Sequence, residues 1–140
     1  MVQPTALALF VVLFTAFALG ADDKQGKHDP VPPSNADVPK LSVEEFDKKR
    51  KEKDAVVLDV RTPEEFKEGH VPGAVNLDIS DKDFEKKVDA LDKGKTYLVH
   101  CARGGRSSRA TEVMRPKFGK LYDFSGGMNA WQKAGKPVEK

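Results

Sequence analysis

The chain has 140 residues, 39% of them apolar and 33% charged, with a formal net charge of +2 at pH 7 and a single cysteine, Cys101. That length predicts no more than one soluble domain. The near-neutral balance, with no basic stripe, gives no ground for a nucleic-acid partner.

Residues 1–20 do not read as part of a fold. Ala6 to Leu19 is apolar apart from Thr15 and carries no charge. Those 14 residues fall short of the roughly 20 needed to span a bilayer. Ala18-Leu19-Gly20 before Ala21 fits a small-residue cleavage site, so the stretch reads as a secretory signal peptide. The expectation is export, periplasmic or secreted, after cleavage near Ala21; an uncleaved membrane anchor is the alternative. In an oxidising compartment a lone cysteine cannot form an internal disulfide, so Cys101 is a free thiol. Residues 21–40 carry Pro30, Pro32, Pro33 and Pro39 among polar residues, with no apolar period. They read as a disordered tether, and His28 within it as a solvated side chain.

The domain is expected over 41–140. Ser42 and Glu45 form a capping box opening a helix to about Lys51, with Leu41 and Phe46 as its apolar staple. Ala55-Val56-Val57-Leu58 is a continuous apolar run, a strand buried on both faces that Asp59-Val60-Arg61 closes. Thr62 and Glu65 form a second capping box, with Pro63 at the first helical position and Gly69 as a left-handed cap. Val71-Pro72-Gly73 turns the chain into a short strand, Ala74 to Leu77. Ser80 is positioned to cap a helix to about Leu91, with Phe84, Val88 and Leu91 on one face.

Thr96 to His100 reads as the central strand, feeding Cys101-Ala102-Arg103-Gly104-Gly105-Arg106-Ser107-Ser108-Arg109. A helix follows, with Ala110, Val113 and Met114 on one face and an end near Met114 or Arg115, because Pro116 disfavours helix in the residue before it. The cysteine therefore sits at the carboxyl end of a strand, the edge at which open α/β sheets bind ligands. The two glycines let the loop curl into an anion-binding nest of N–H groups, to which the following helix adds its positive end. Such surroundings favour the thiolate. The competing reading is a small buried hydrophobe, but a core cysteine gains nothing from a cationic, glycine-rich neighbourhood. Leu121 to Phe124 is the last strand, and Gly126-Gly127 turns it into a helix carrying Met128 and Trp131 that Gly135 ends. Strands alternating with helices predict a parallel sheet covered on both faces.

In this order the pieces resemble one known family. Leu58-Asp59-Val60-Arg61, Glu65-Phe66, Gly69 to Asn76, Cys101 to Ser107 and Gly126 to Trp131 together look like a single rhodanese domain of the sulfurtransferases. The resemblance implies an α/β fold with a central five-stranded parallel sheet and helices on both faces. It implies that Cys101 is the catalytic nucleophile, taking a sulfane sulfur from a small anionic donor such as thiosulfate, with sulfite leaving. The persulfide would then pass its sulfur to cyanide, to a thiol, or to a sulfur-accepting protein partner. Ala102, Arg103, Gly104, Gly105, Arg106 and Ser107 would bind the substrate, Arg106 steadying loop and anion and Arg103 facing the donor. Six-residue loops of this kind go with sulfur substrates, and the related phosphatases carry one residue more.

Asp59 and Arg61 read either as support for the site or as a structural ion pair with a neighbour such as Glu65. Alternation turns His100 away from Cys101, and His70 reads as a hydrogen-bonded residue fixing a turn. Trp131 reads as core, and Arg109 as facing either the site or solvent. No cofactor or metal site is expected, since no second cysteine and no histidine close to His70 exists to make one. Lys117-Phe118, after Pro116, departs from the Gly-Phe pair common in the family. Two rivals stand beside sulfur transfer: a Cys–Arg phosphatase or arsenate reductase, and a tethered sulfur-relay or partner-binding module without turnover of its own.

Overall fold

The computed structural model describes residues 37–140; the expected signal peptide and most of the expected tether lie outside the described residues. The elements run α1 (Val43–Lys49), β1 (Ala55–Asp59), α2 (Pro63–Glu68), β2 (Val75–Asn76), α3 (Phe84–Asp89), β3 (Thr96–His100), α4 (Gly105–Met114), β4 (Leu121–Phe124) and α5 (Gly127–Lys133). All strand pairings are parallel, in the order β2-β1-β3-β4.

Period-2 alternation on β1, buried over its last three residues, and on β3, buried throughout, divides the core into two layers. Leu58, Val60, Tyr97, Val99 and Cys101 face one side, where Phe84 and Val88 of α3 and Ala110 and Met114 of α4 cover them. Val57, Leu98 and Phe124 face the other, packed by Phe46 of α1 and by Met128 and Trp131 of α5. Trp131 is core, as its sequence context suggested, with its indole N–H donated to the Pro137 carbonyl at 2.7 Å. Phe118 is buried edge-on against Tyr97, so the lysine at 117 leaves the neighbouring aromatic in place.

Both capping boxes form as the sequence implied: Ser42 and Thr62 accept from the backbone of Glu45 and Glu65, whose carboxylates reach back to the cap N–H groups.

Four expectations need correction. Among the described residues the sheet has four strands, not five. Where a fifth would lie beside β4, the backbone of 39–41 makes one isolated bridge, Lys40 with Asp123, through Leu41 N–H to Asp123 O and Asp123 N–H to Pro39 O, each 2.9 Å. Pro39 has no N–H to donate and Ser42 already caps α1, so the ladder cannot lengthen in either direction. Gly69 is not a left-handed cap; its φ of 161° is extended. Its lack of a side chain is used instead by Val138, whose Cγ1 would lie 2.8 Å from an added Cβ. Ser80 does not cap α3. Its hydroxyl donates to Asp78 at 2.6 Å, and a second Asx turn at Asp81 delays the helix to Phe84. Asp59 and Arg61 pair with each other, not with Glu65, as described below.

Candidate active site

Cys101 leaves β3 at the carboxyl edge of the sheet and is 1% exposed. Gly104 turns the chain at φ +104°, and a Cβ there would lie 2.5 Å from the Ser125 carbonyl, so only glycine fits. Gly105, by contrast, has open space and needs no special backbone; one of the two loop glycines is obligatory, not both. The turn brings Gly104 N–H to 3.0 Å from Cys101 Sγ. α4 then starts at once, so the N–H of Ser107, in its first turn, also faces the sulfur. Burial opposes ionisation of Cys101, but the backbone N–H groups of Ser107, Gly104 and Arg103 outweigh it and hold the thiol below its ordinary range.

The loop is held open as a nest from behind. Gly127 opens α5 at φ +60°, with Cys101 O and Ala102 O only 2.4 and 2.6 Å from where its Cβ would be. That close approach lets Met128 N–H reach Cys101 O at 2.8 Å and Asn129 N–H reach Ala102 O at 3.1 Å. With those carbonyls drawn outward, the N–H groups are left to converge on sulfur. From β4, buried Asp123 accepts from the Ser107 hydroxyl at 2.8 Å and fixes the start of α4. Burial pushes the Asp123 carboxyl above its ordinary range.

Beneath the loop, Asp59 is fully buried and takes the Arg61 guanidinium at 2.7 Å as well as the Arg61 backbone N–H. Arg61 also donates to Gly69 O at 2.8 Å. The Asn76 amide closes this strand end by donating to the carbonyls of Asp59 and Arg61. Neither residue of the pair lines the mouth over the cysteine. His100 points to the opposite face, edge-on to Phe46, as alternation required. Its Nδ1 lies 3.1 Å from Cys101 O, and burial pushes its imidazole below its ordinary range. A neutral ring therefore donates from Nδ1 to the cysteine carbonyl. His70 fixes a turn: its ring stacks on Phe66 at 3.8 Å and Nδ1 meets Phe66 O at 2.9 Å.

The mouth over Cys101 is an open hollow of about 440 Å³ lined by Glu65, Cys101, Ala102, Arg103, Gly105, Arg106 and Asn129. Glu65 and Asn129 were not foreseen as site residues. Glu65 was legible as a cap, as part of the Glu65-Phe66 motif and as an ion-pair neighbour for Asp59 and Arg61, yet its two oxygens take both Nη atoms of Arg106, at 2.6 and 2.8 Å. Asn129 follows the Gly126-Gly127 turn at the same sheet edge, the one signal that could have marked it. The Arg106 guanidinium beside it holds the Glu65 carboxyl at about 2, so the pair stays ionised. Arg103 has no side-chain partner among the described residues. Arg109 turns toward α3 and lines a different hollow, with Asp81 and Lys86.

The family model for the rhodanese-like domain matches residues 42–134. Thiosulfate sulfurtransferase 16, chloroplastic, of Arabidopsis thaliana is 37% identical over 93 residues, covering 59% of this chain and 78% of that protein. A putative sulfur carrier protein, YrkF, of Bacillus subtilis is 30% identical over 110 residues, covering 77% of this chain and 57% of that protein. Among solved structures, a rhodanese-related protein of Thermoplasma volcanium superposes with a TM-score of 0.65 at 31% identity, over 72% of this chain and 97% of the other.

Proposed function

The chain belongs to the rhodanese-like domain family, and on that premise we propose that it is a sulfurtransferase working through a persulfide on Cys101. The observation that carries this reading is the convergence of backbone N–H groups from Arg103, Gly104 and Ser107 on one buried sulfur. That cradle suits an anion on Sγ, first the thiolate and then the persulfide, and a thiol already ionised needs no general base.

The thiolate attacks the outer sulfur of a donor such as thiosulfate. The donor's S–S bond breaks, sulfite leaves with the bonding pair, and a Cys101 persulfide anion remains in the nest. An acceptor nucleophile, cyanide or a thiol, then attacks the terminal sulfur and returns the thiolate. Arg103, exposed at the rim and unpaired, is placed to meet an incoming anion. The relative named as a sulfur carrier supports a protein as acceptor. The Arg106 fork, already taken by Glu65, weighs against a phosphatase or arsenate reductase, for which that fork would have to clamp the oxyanion.

Intact mass after thiosulfate treatment is the test. The expected result is a gain of one sulfur atom, absent in Cys101→Ser and removed by cyanide with release of thiocyanate. A wild-type protein that gains no sulfur from thiosulfate or from a second sulfane donor overturns the reading.

A further inference from the structure

The pairing of Glu65 with Arg106 has a consequence for which donors the mouth admits. A guanidinium recognises a tetrahedral oxyanion through two parallel N–H donors. Here both Nη atoms are already committed to the two oxygens of Glu65. The carboxylate is itself anchored, because Oε2 also accepts the Thr62 N–H at 3.0 Å as part of the α2 capping box. Arg106 is thus neutralised and turned toward α2, and the Glu65–Arg106 pair adds no net positive charge to the lining of the hollow. Among the described residues, the other polar side chains there are the cation Arg103, which has no side-chain partner, and the neutral amide Asn129. Against the Cys101 thiolate, such a mouth has no surplus of positive charge for a doubly charged donor.

We propose that Glu65 is a specificity-determining residue: by clamping Arg106 it favours sulfane-sulfur donors carrying a single negative charge, such as organic thiosulfonates, over dianions such as thiosulfate. The inference rests on the sulfurtransferase reading and deepens it. Both donors react by the same balanced step. A thiosulfonate, R–SO2–S⁻, gives up its outer sulfur to the thiolate and leaves as the sulfinate R–SO2⁻, as thiosulfate leaves as sulfite. The Cys101 persulfide formed is the same.

The experiment compares kcat/KM for thiosulfate and for methanethiosulfonate, with cyanide as acceptor, in wild type, Glu65→Gln, Glu65→Ala and Glu65→Asp. Glutamine is as good as glutamate at the third position of a capping box, so Glu65→Gln keeps the start of α2 while removing the charge. The thiosulfate-to-thiosulfonate ratio should rise about fivefold in Glu65→Gln, the size of one unit-charge contact in water-like surroundings. It should rise likewise in Glu65→Ala, and stay at the wild-type value in Glu65→Asp, which keeps the charge. A ratio that does not move, or an equal loss with both donors, shows that Glu65 only holds the structure and overturns the proposal. A wild-type enzyme that forms no persulfide from either donor instead brings down the sulfurtransferase reading beneath it, so the two failures are distinguishable.

Discussion

Replacing Gly127 by alanine tests the claim that α5 holds the cysteine nest open. The residue sits at φ +60°, where an L side chain costs roughly 1–2 kcal/mol. The new Cβ would lie 2.4 Å from Cys101 O and 2.6 Å from Ala102 O, both backbone atoms that no rotamer change can move. Restoring ordinary C···O contact of about 3.3 Å requires the helix and the loop to part by roughly 0.9 Å at the tighter contact. That movement breaks the Met128-to-Cys101 and Asn129-to-Ala102 hydrogen bonds, each worth about 1 kcal/mol net. The sum is about 3–4 kcal/mol of stability, or a fall in Tm of about 10 °C or more for a domain of this size. Urea unfolding measures the loss. Gly105→Ala is the internal control, since its Cβ meets nothing within 4 Å and its φ is not positive. It should leave stability unchanged or raise it by about 0.4–1 kcal/mol through the unfolded chain. The iodoacetamide pH profile should move upward in Gly127→Ala, because the N–H groups that lower the thiol pKa lose their alignment. A Gly127→Ala protein within about 0.5 kcal/mol of wild type, the scatter of ordinary surface substitutions, would refute the bracing argument.

The thiolate and its supports yield two more expectations. Cys101 should be alkylated with a midpoint below that of an ordinary free thiol, and Ser107→Ala should raise that midpoint by releasing the start of α4 from Asp123, so that the N–H groups there lose their alignment on sulfur. A depressed folded-state pKa stabilises the fold above the unfolded thiol's pKa, and that contribution is lost as pH falls through the folded value, so pH-dependent unfolding should show this sign in wild type and less of it in Cys101→Ser. Asp59→Ala should cost about 3–5 kcal/mol in urea unfolding, because it strands the 6%-exposed Arg61 without its carboxylate; adding Arg61→Met should restore part of that loss.

What the sequence disclosed was mostly what adjacent residues decide between themselves. Thr62 and Glu65 are three apart, and their capping box is written in the chain. The strand, loop and helix around Cys101 follow from an apolar run, glycines and a helical period, all local. Alternation alone placed His100 and Cys101 on opposite faces. The misses are of another kind. Glu65 and Arg106 are separated by 41 positions, and no periodicity announces that a capping carboxylate has a second partner across the site. Arg61 was open to several partners; Asp59, two residues back and buried beside it, wins because the strand end points both side chains the same way. Ser80 had the right residue type, but the flanking Asp78 and Asp81 compete for local N–H groups and the hydroxyl. The fifth strand was an inheritance from the family pattern, which Pro39 and the cap at Ser42 do not allow here.

The thiol's activation was expected from Arg106 and Arg103 as much as from the loop, and the geometry divides those roles. Arg106 is matched by Glu65, so the lowering of the Cys101 pKa falls chiefly to backbone N–H groups. Those groups are fixed from three directions: by Asp123 at the end of β4, by the first turn of α5, and by the left-handed turn at Gly104. Of these braces only Asn129, through its backbone N–H, also lies on the mouth. On the proposed function, the side chains of Glu65, Arg103 and Asn129 would meet a donor or acceptor, and the ionisation of Cys101 does not need them. Reactivity is therefore stored in backbone that only glycine, or a buried side chain, can hold in place. On the proposed function, selectivity would lie in three side chains whose replacement leaves the backbone of the nest in place. A fold arranged in this way can keep one sulfur chemistry while its donors and acceptors diverge.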